Sequence, residues 1–167
     1  MQTPVPPTVP GTSMFADTRI SKLSVGNIVN RTVAGTLTLA QMQTLYTTPV
    51  QVLPPLNTGF MYVVDNMVLE AEYGTAAFTG GGNIYLQYGT TPAGTTPASA
   101  NVAAAFLTGL SANSVISATG SINSTTGLAV SVVNGAAITL TNAAAVFAVG
   151  TGGSAAYTVY YKVVPVV

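Results

Sequence analysis

An antiparallel β-sandwich of jelly-roll type, with one short helix and an extended N-terminal arm, is the fold that three features of this chain predict. Short runs rich in β-branched and aromatic residues recur along it, separated by glycine, proline and asparagine turns. A capped helical pattern occurs near its start, and prolines crowd its first residues. Closure into a barrel is the other option for the same strands. The 167 residues suffice for one core, and the expected division is an arm over 1–35 and a β domain over 36–167.

The opening MQTPVPPTVPGTS carries Pro4, Pro6, Pro7 and Pro10, which remove backbone donors and favour an extended, polyproline-like path. In TLTLAQMQTLY, Thr38 followed by Gln41 matches a capping box, so a short helix is expected over 39–46, stopped by Pro49. VQVL then reads as a brief strand ending at a double proline. In GFMYVVDNMVLEAEYG, the residues Met61, Val63, Met67, Leu69, Ala71 and Tyr73 share one parity and form the expected core face. Asp65 interrupts that face beside Asn66, which predicts a bulge or a local turn there rather than a buried charge.

FTGGGNIYLQYG reads as two strands joined through glycines as a hairpin, and YGTTPAGTTPASA as a loop. VAAAFLTGL fits either a helical turn or a buried strand. SVISATG, GLAVSVV, AAITLTN and VFAVG read as short strands, with Asn134-Gly135 as a type I′ turn between the second and third. AAYTVYYKVVPV closes the sequence as a long strand, with Tyr157, Val159, Tyr161 and Val163 on one face and Tyr160 and Lys162 on the other.

Charge narrows the function classes. Only 5% of residues are charged, against roughly 25% in soluble domains. Four basic and four acidic side chains balance to zero, so no field steers the chain to nucleic acid or to an anionic membrane surface. The start lacks the basic and apolar regions of a secretory signal. The uncharged run over 128–149 has the length of a membrane span, but Asn134-Gly135 divides it into strand-like halves. Cysteine and histidine are both absent, which removes thiolate chemistry, the commonest metal ligands and the commonest general base.

The remaining candidates for chemistry are weak. The triple glycine lacks the lysine and following helix that a phosphate loop needs. Glu70 and Glu72 sit two apart on one strand face, a spacing that suits a carboxylate pair and also suits two solvated glutamates. A serine nucleophile would have only Lys22 or Lys162 as its base, and neither lies in a serine motif. Asp17, Asp65, Glu70 and Glu72 show no calcium-loop spacing. Tyrosines are numerous and mostly suited to packing, with Tyr85 and Tyr160 as candidate exposed interaction residues. No catalytic site, cofactor, metal or small-molecule substrate is expected.

Residues 73–161 contain no charged residue. A surface made of that stretch lacks charge repulsion between copies, so the chain is expected to work assembled. Three of the four basic residues, Arg19, Lys22 and Arg31, fall near the arm against one acid, Asp17, which suggests an attachment segment.

The succession LTLAQMQTLYTTPVQVLPP, GFMYVVDNMVLEAEYGTAAFTGGGNIYLQYG, VAAAFLTG and AAYTVYYKVVPV, spanning roughly 37–167, resembles small capsid decoration or cement proteins of tailed bacteriophages, including cyanophages. The resemblance implies a jelly-roll-like homotrimer on the outer capsid surface of the virion, made in the host cytoplasm, that ties major capsid protein subunits together. It also implies attachment through an extended N-terminal segment, for which Pro4, Pro6, Pro7, Pro10, Arg19, Lys22 and Arg31 are the candidate contacts. A carbohydrate- or receptor-binding domain of a phage head or tail fibre is the alternative.

Overall fold

The capped helix forms as its sequence dictates. In the computed structural model, which describes residues 29–121, 127–148 and 153–166, Gln41 N–H donates to Thr38 Oγ1 at 3.2 Å and Thr38 N–H donates to Gln41 Oε1 at 2.9 Å. Two amides left over at a helix start are thereby satisfied. Helix α1, Leu39–Thr44, ends two residues earlier than expected and buries Met42.

Around it the chain is all-β and sandwich-like. Strands β1 (Arg31–Leu37), β2 (Val50–Leu53) and β3 (Phe60–Ala71) come first, then β4 (Thr79–Gly80), β5 (Ile84–Tyr88) and β6 (Ser114–Thr119). Strands β7 (Ile138–Asn142), β8 (Phe147–Ala148) and β9 (Ala155–Pro165) follow, with single helical turns α2 (Ala105–Thr108) and α3 (Val130–Val133) between them. VAAAFLTGL thus forms a turn of helix, and the described residues hold two more helical pieces than the single one expected. Strand β1 also takes Arg31 to Gly35 into the sheet, residues assigned to the arm by sequence.

The pairing is nested and antiparallel. β1 lies beside β9, β2 beside β7, and β3 beside β6. Innermost, isolated bridges tie Ile84 to Val102 and Gln87 to Pro97. A long hairpin doubled in this way and rolled up produces two sheets, here ordered β1-β9-β3-β6 and β2-β7-β5, beside a small β4-β8 pair. This is jelly-roll-like order, in which no two neighbours within a sheet are consecutive strands.

The core fills the space between the sheets. Leu37, Tyr62, Val64, Met67, Leu69, Tyr157 and Val159 from the larger sheet meet Val52, Leu86, Tyr88 and Leu140 from the smaller one. The buried set in β3 changes parity: Tyr62 and Val64 precede the register shift between Val64 and Asn66, while Met67, Leu69 and Ala71 follow it. The predicted bulge is therefore present, but Met61 and Val63 are only half-buried on the opposite side, because one extra residue reverses every later side chain.

Every residue of β5 and β7 is buried, so the smaller sheet is covered on both sides. Its outward polar side chains find partners in the covering loops. Thr139 Oγ1 donates to Gly89 O at 2.7 Å, Thr141 Oγ1 to Leu45 O at 3.1 Å, Gln87 Nε2 to Thr91 O at 2.6 Å and Asn142 Nδ2 to Ala145 O at 2.7 Å. Burying such groups without partners would cost 1–3 kcal/mol each, on the order of a hydrogen bond lost.

Two connections differ from expectation. The glycines of FTGGG join strands of different sheets, since β4 pairs with β8 and β5 with β7, so they do not close a hairpin. Gly80 and Gly81 adopt φ of 68° and 76°, a conformation that side chains disfavour. GLAVSVV does not form a strand. Asn134 has φ −67° and ψ 113°, Gly135 has φ 71°, and Ala136 N–H donates to Val133 O at 3.3 Å, which describes a type II turn rather than type I′.

A hydrogen-bonded pair of tyrosines spans the core. Tyr88 Oη donates to Tyr62 O at 2.6 Å, and Tyr62 Oη donates to Pro54 O at 2.9 Å. Burial pushes the Tyr88 hydroxyl up to about 12 from its ordinary 10.0. Because the folded-state value is raised, its stabilisation is intact below pH 10 and is lost as pH climbs through about 12. Tyr88→Phe is therefore expected to cost about 1 kcal/mol at pH 7 through the lost hydrogen bond. Its deficit should shrink between pH 10 and 12, and denaturant melts at both pH values check this.

Candidate interaction surface

The residues singled out for chemistry are scattered over the fold. The triple glycine leads into a strand, and Lys162, on the larger sheet, is held by Asp65 at 2.8 Å. Both side chains of that pair are about one-third exposed, at 31% and 37%, so the pair is worth at most about 1 kcal/mol. Glu70 and Glu72 are exposed and line a hollow of about 130 Å³ with Thr36, Ser154, Ala155 and Ala156. Ser154 Oγ donates to Glu72 Oε2, and Glu72 N–H donates to Ser154 O at 2.9 Å. The Glu72 carboxylate is thus engaged in closing the sheet end. Among the described residues no three acidic side chains gather as a metal site.

The tyrosines act mainly as struts. Tyr85 is only 6% exposed and donates from Oη to Gly94 O at 2.6 Å, so it offers no surface ring. The expectation that Tyr85 is exposed is thereby corrected: the 89–97 loop covers that side of β5. Burial raises the hydroxyls of Tyr62, Tyr85 and Tyr157. Tyr160, by contrast, is 44% exposed. Arg31 is exposed at the start of β1; Pro4, Pro6, Pro7, Pro10, Arg19 and Lys22 lie outside the described residues.

A second, open hollow of about 340 Å³ is lined by Tyr88 and the loop 91–96. Gln87 lies beneath the same loop, its Oε1 buried with no hydrogen-bond partner. The lining contains no charged side chain.

Among the described residues, nothing covers the outer face of the larger sheet. Register places Thr32, Tyr160, Asn66 and Thr119 in one row across its four strands, then Ala34, Thr158, Val68 and Ser117, then Thr36, Ala156, Glu70 and Val115. Small and uncharged side chains dominate these rows. Strands β1 and β6 form the two sheet edges, and apart from Arg31 neither carries a charge or a proline of the sort that blocks edge pairing. The charge-free run over 73–161 pointed to a neutral surface, but assigning these rows needs the pairing register.

No protein-family model matches the chain, and no curated protein matches it. Among solved structures it is similar to a chain described as the cyanophage Pam1 capsid asymmetric unit. The two are 20% identical with a TM-score of 0.43, over 82% of this chain and 85% of the other.

Proposed function

We propose that the chain is a structural virion protein without catalytic activity. In this reading it is a capsid decoration, or cement, protein that forms homotrimers on the outer capsid surface and stabilises contacts between major capsid protein subunits. The observation that carries the reading is the charge-free run over 73–161, which supplies β6 and much of β9 in the larger sheet, whose outer face is open. Neutral, small-residue surface of this kind suits burial against other protein. The N-terminal segment, with Pro4, Pro6, Pro7, Pro10, Arg19, Lys22 and Arg31, makes the attachment.

The mechanism is mass action. A protein that binds only the assembled shell stabilises that state by its binding free energy, multiplied over many copies. Light scattering on the size-exclusion peak is expected to return about three times the 16.8 kDa chain mass, and incubation with undecorated shells should add regular density over the lattice in electron micrographs. A monodisperse monomer at micromolar concentration would overturn the trimer, and bare shells would overturn the cement role. Exposed Tyr160 favours a second reading, a carbohydrate- or receptor-binding domain of a head or tail fibre; binding on a glycan array together with bare shells would select it.

A further inference from the structure

The two ends of the larger sheet differ in chemistry. Glu70 and Glu72 lie toward one end, where Ala71 pairs with Ala155. At the other, Phe60 pairs with Pro165, roughly 33 Å from Glu70 along the strand. Three segments build that second end: 54–61, 127–137 and 163–166. Hydrogen bonds hold them together, from Gly135 N–H to Phe60 O at 2.8 Å, Leu56 N–H to Gly135 O at 3.0 Å and Val166 N–H to Gly59 O at 2.9 Å. None of the three contains a charged residue.

Large apolar side chains stand open on this end. Phe60 is 45% exposed, Val130 51% and Val132 36%. α3 lies directly beside Phe60, because Asn134 Oδ1 accepts from Gly59 N–H at 2.7 Å. The chain also enters the described structure here. Arg31 pairs with Tyr161, which pairs in turn with Val64, so the antiparallel register carries Val29, itself 56% exposed, toward the Phe60 end. The 28 residues that precede Val29 include Arg19 and Lys22.

We infer that the Phe60, Val130 and Val132 end is the surface that docks on the shell, an inference that rests on the cement-protein reading. The occupant is the major capsid protein, presenting an apolar patch bordered by acidic groups. The apolar end supplies the desolvated centre of the contact. Arg31, exposed at the start of β1, supplies a basic charge on the same side, and the Glu70 and Glu72 end points away. The chain thus enters the described structure on the side that carries the exposed apolar groups.

The absence of cysteine makes a footprint simple to read. Val130→Cys and Glu70→Cys each give the full-length protein one thiol. On undecorated shells saturated with protein, alkylation by a maleimide–polyethylene glycol reagent is expected to slow by about tenfold or more at position 130 and by less than about twofold at position 70, as burial at a contact demands. A Phe60→Ser, Val132→Ser double variant, with both changes at exposed positions and so expected to keep its circular dichroism and melting temperature, should lose shell binding by about tenfold or more in co-sedimentation. Equal reactivity at 130 and 70 on bound shells, or undiminished binding by the folded double variant, overturns the docking end while leaving the cement role standing. Failure of the wild-type protein to bind shells overturns both.

Discussion

Gly120→Ala is expected to lower stability by about 3 kcal/mol or more, a fall in Tm of about 10 °C for a domain of this size. A Cβ at Gly120 would sit 1.6 Å from Val64 O and 2.5 Å from the Val64 carbonyl carbon. Those atoms belong to the bulge between Val64 and Asn66, and Gly120 N–H donates to Asp65 O at 2.8 Å. Backbone meets backbone here, so no side chain can swing aside. Either β6 moves away and surrenders its ladder to β3, or the bulge reopens and the parity of half a strand is disturbed. Gly89 supplies the control. Its φ is 83°, yet nothing lies within 4 Å of an added Cβ, so Gly89→Ala should cost only about 1 kcal/mol, that of a left-handed backbone. Equal losses from both variants, measured by thermal and urea melts, would show that the bulge does not clamp Gly120.

The largest expected functional effect comes from removing residues 2–13. The truncated protein should keep its fold and its oligomeric mass, because β1 begins at Arg31 and all described pairing lies beyond it. Shell binding should nonetheless fall by about 100-fold, since losing one of two linked contacts forfeits the effective concentration that the first provides. Co-sedimentation with undecorated shells measures the loss, and truncated protein that binds like wild type would remove the arm from the attachment.

Local physics made part of this fold legible. The Thr38 and Gln41 spacing specifies a capping box because both partners lie within one turn. Asp65 marks a bulge because a lone charge in an apolar row has to be turned out of the core to stay solvated. The consequence of that bulge was harder to see: choosing between Met61 with Val63 and Tyr62 with Val64 requires knowing how many residues the bulge absorbs. Asn134-Gly135 misled for a different reason. Its groups bond to Gly59, Phe60 and Leu56, so a distant loop selects the turn type over any local preference. Tyr85 likewise looked available until the 89–97 loop was laid over it. The residues proposed for attachment raise no comparable local signal beyond charge and proline content, because recognition depends on a partner surface.

The adjacency of β1 and β9 has a temporal side. Arg31 pairs with Tyr161, so the first strand of the roll waits for the last, and the nascent chain leaves the ribosome with β1, β2 and β3 lacking their distant partners. Loop-closure entropy across nearly the whole chain makes such a topology slow to fold. With so little charge to keep the unfinished chains apart, the interval before β9 arrives is the one in which they are most open to aggregation. Yield during synthesis should therefore respond to temperature and to chaperone supply more than the finished roll does.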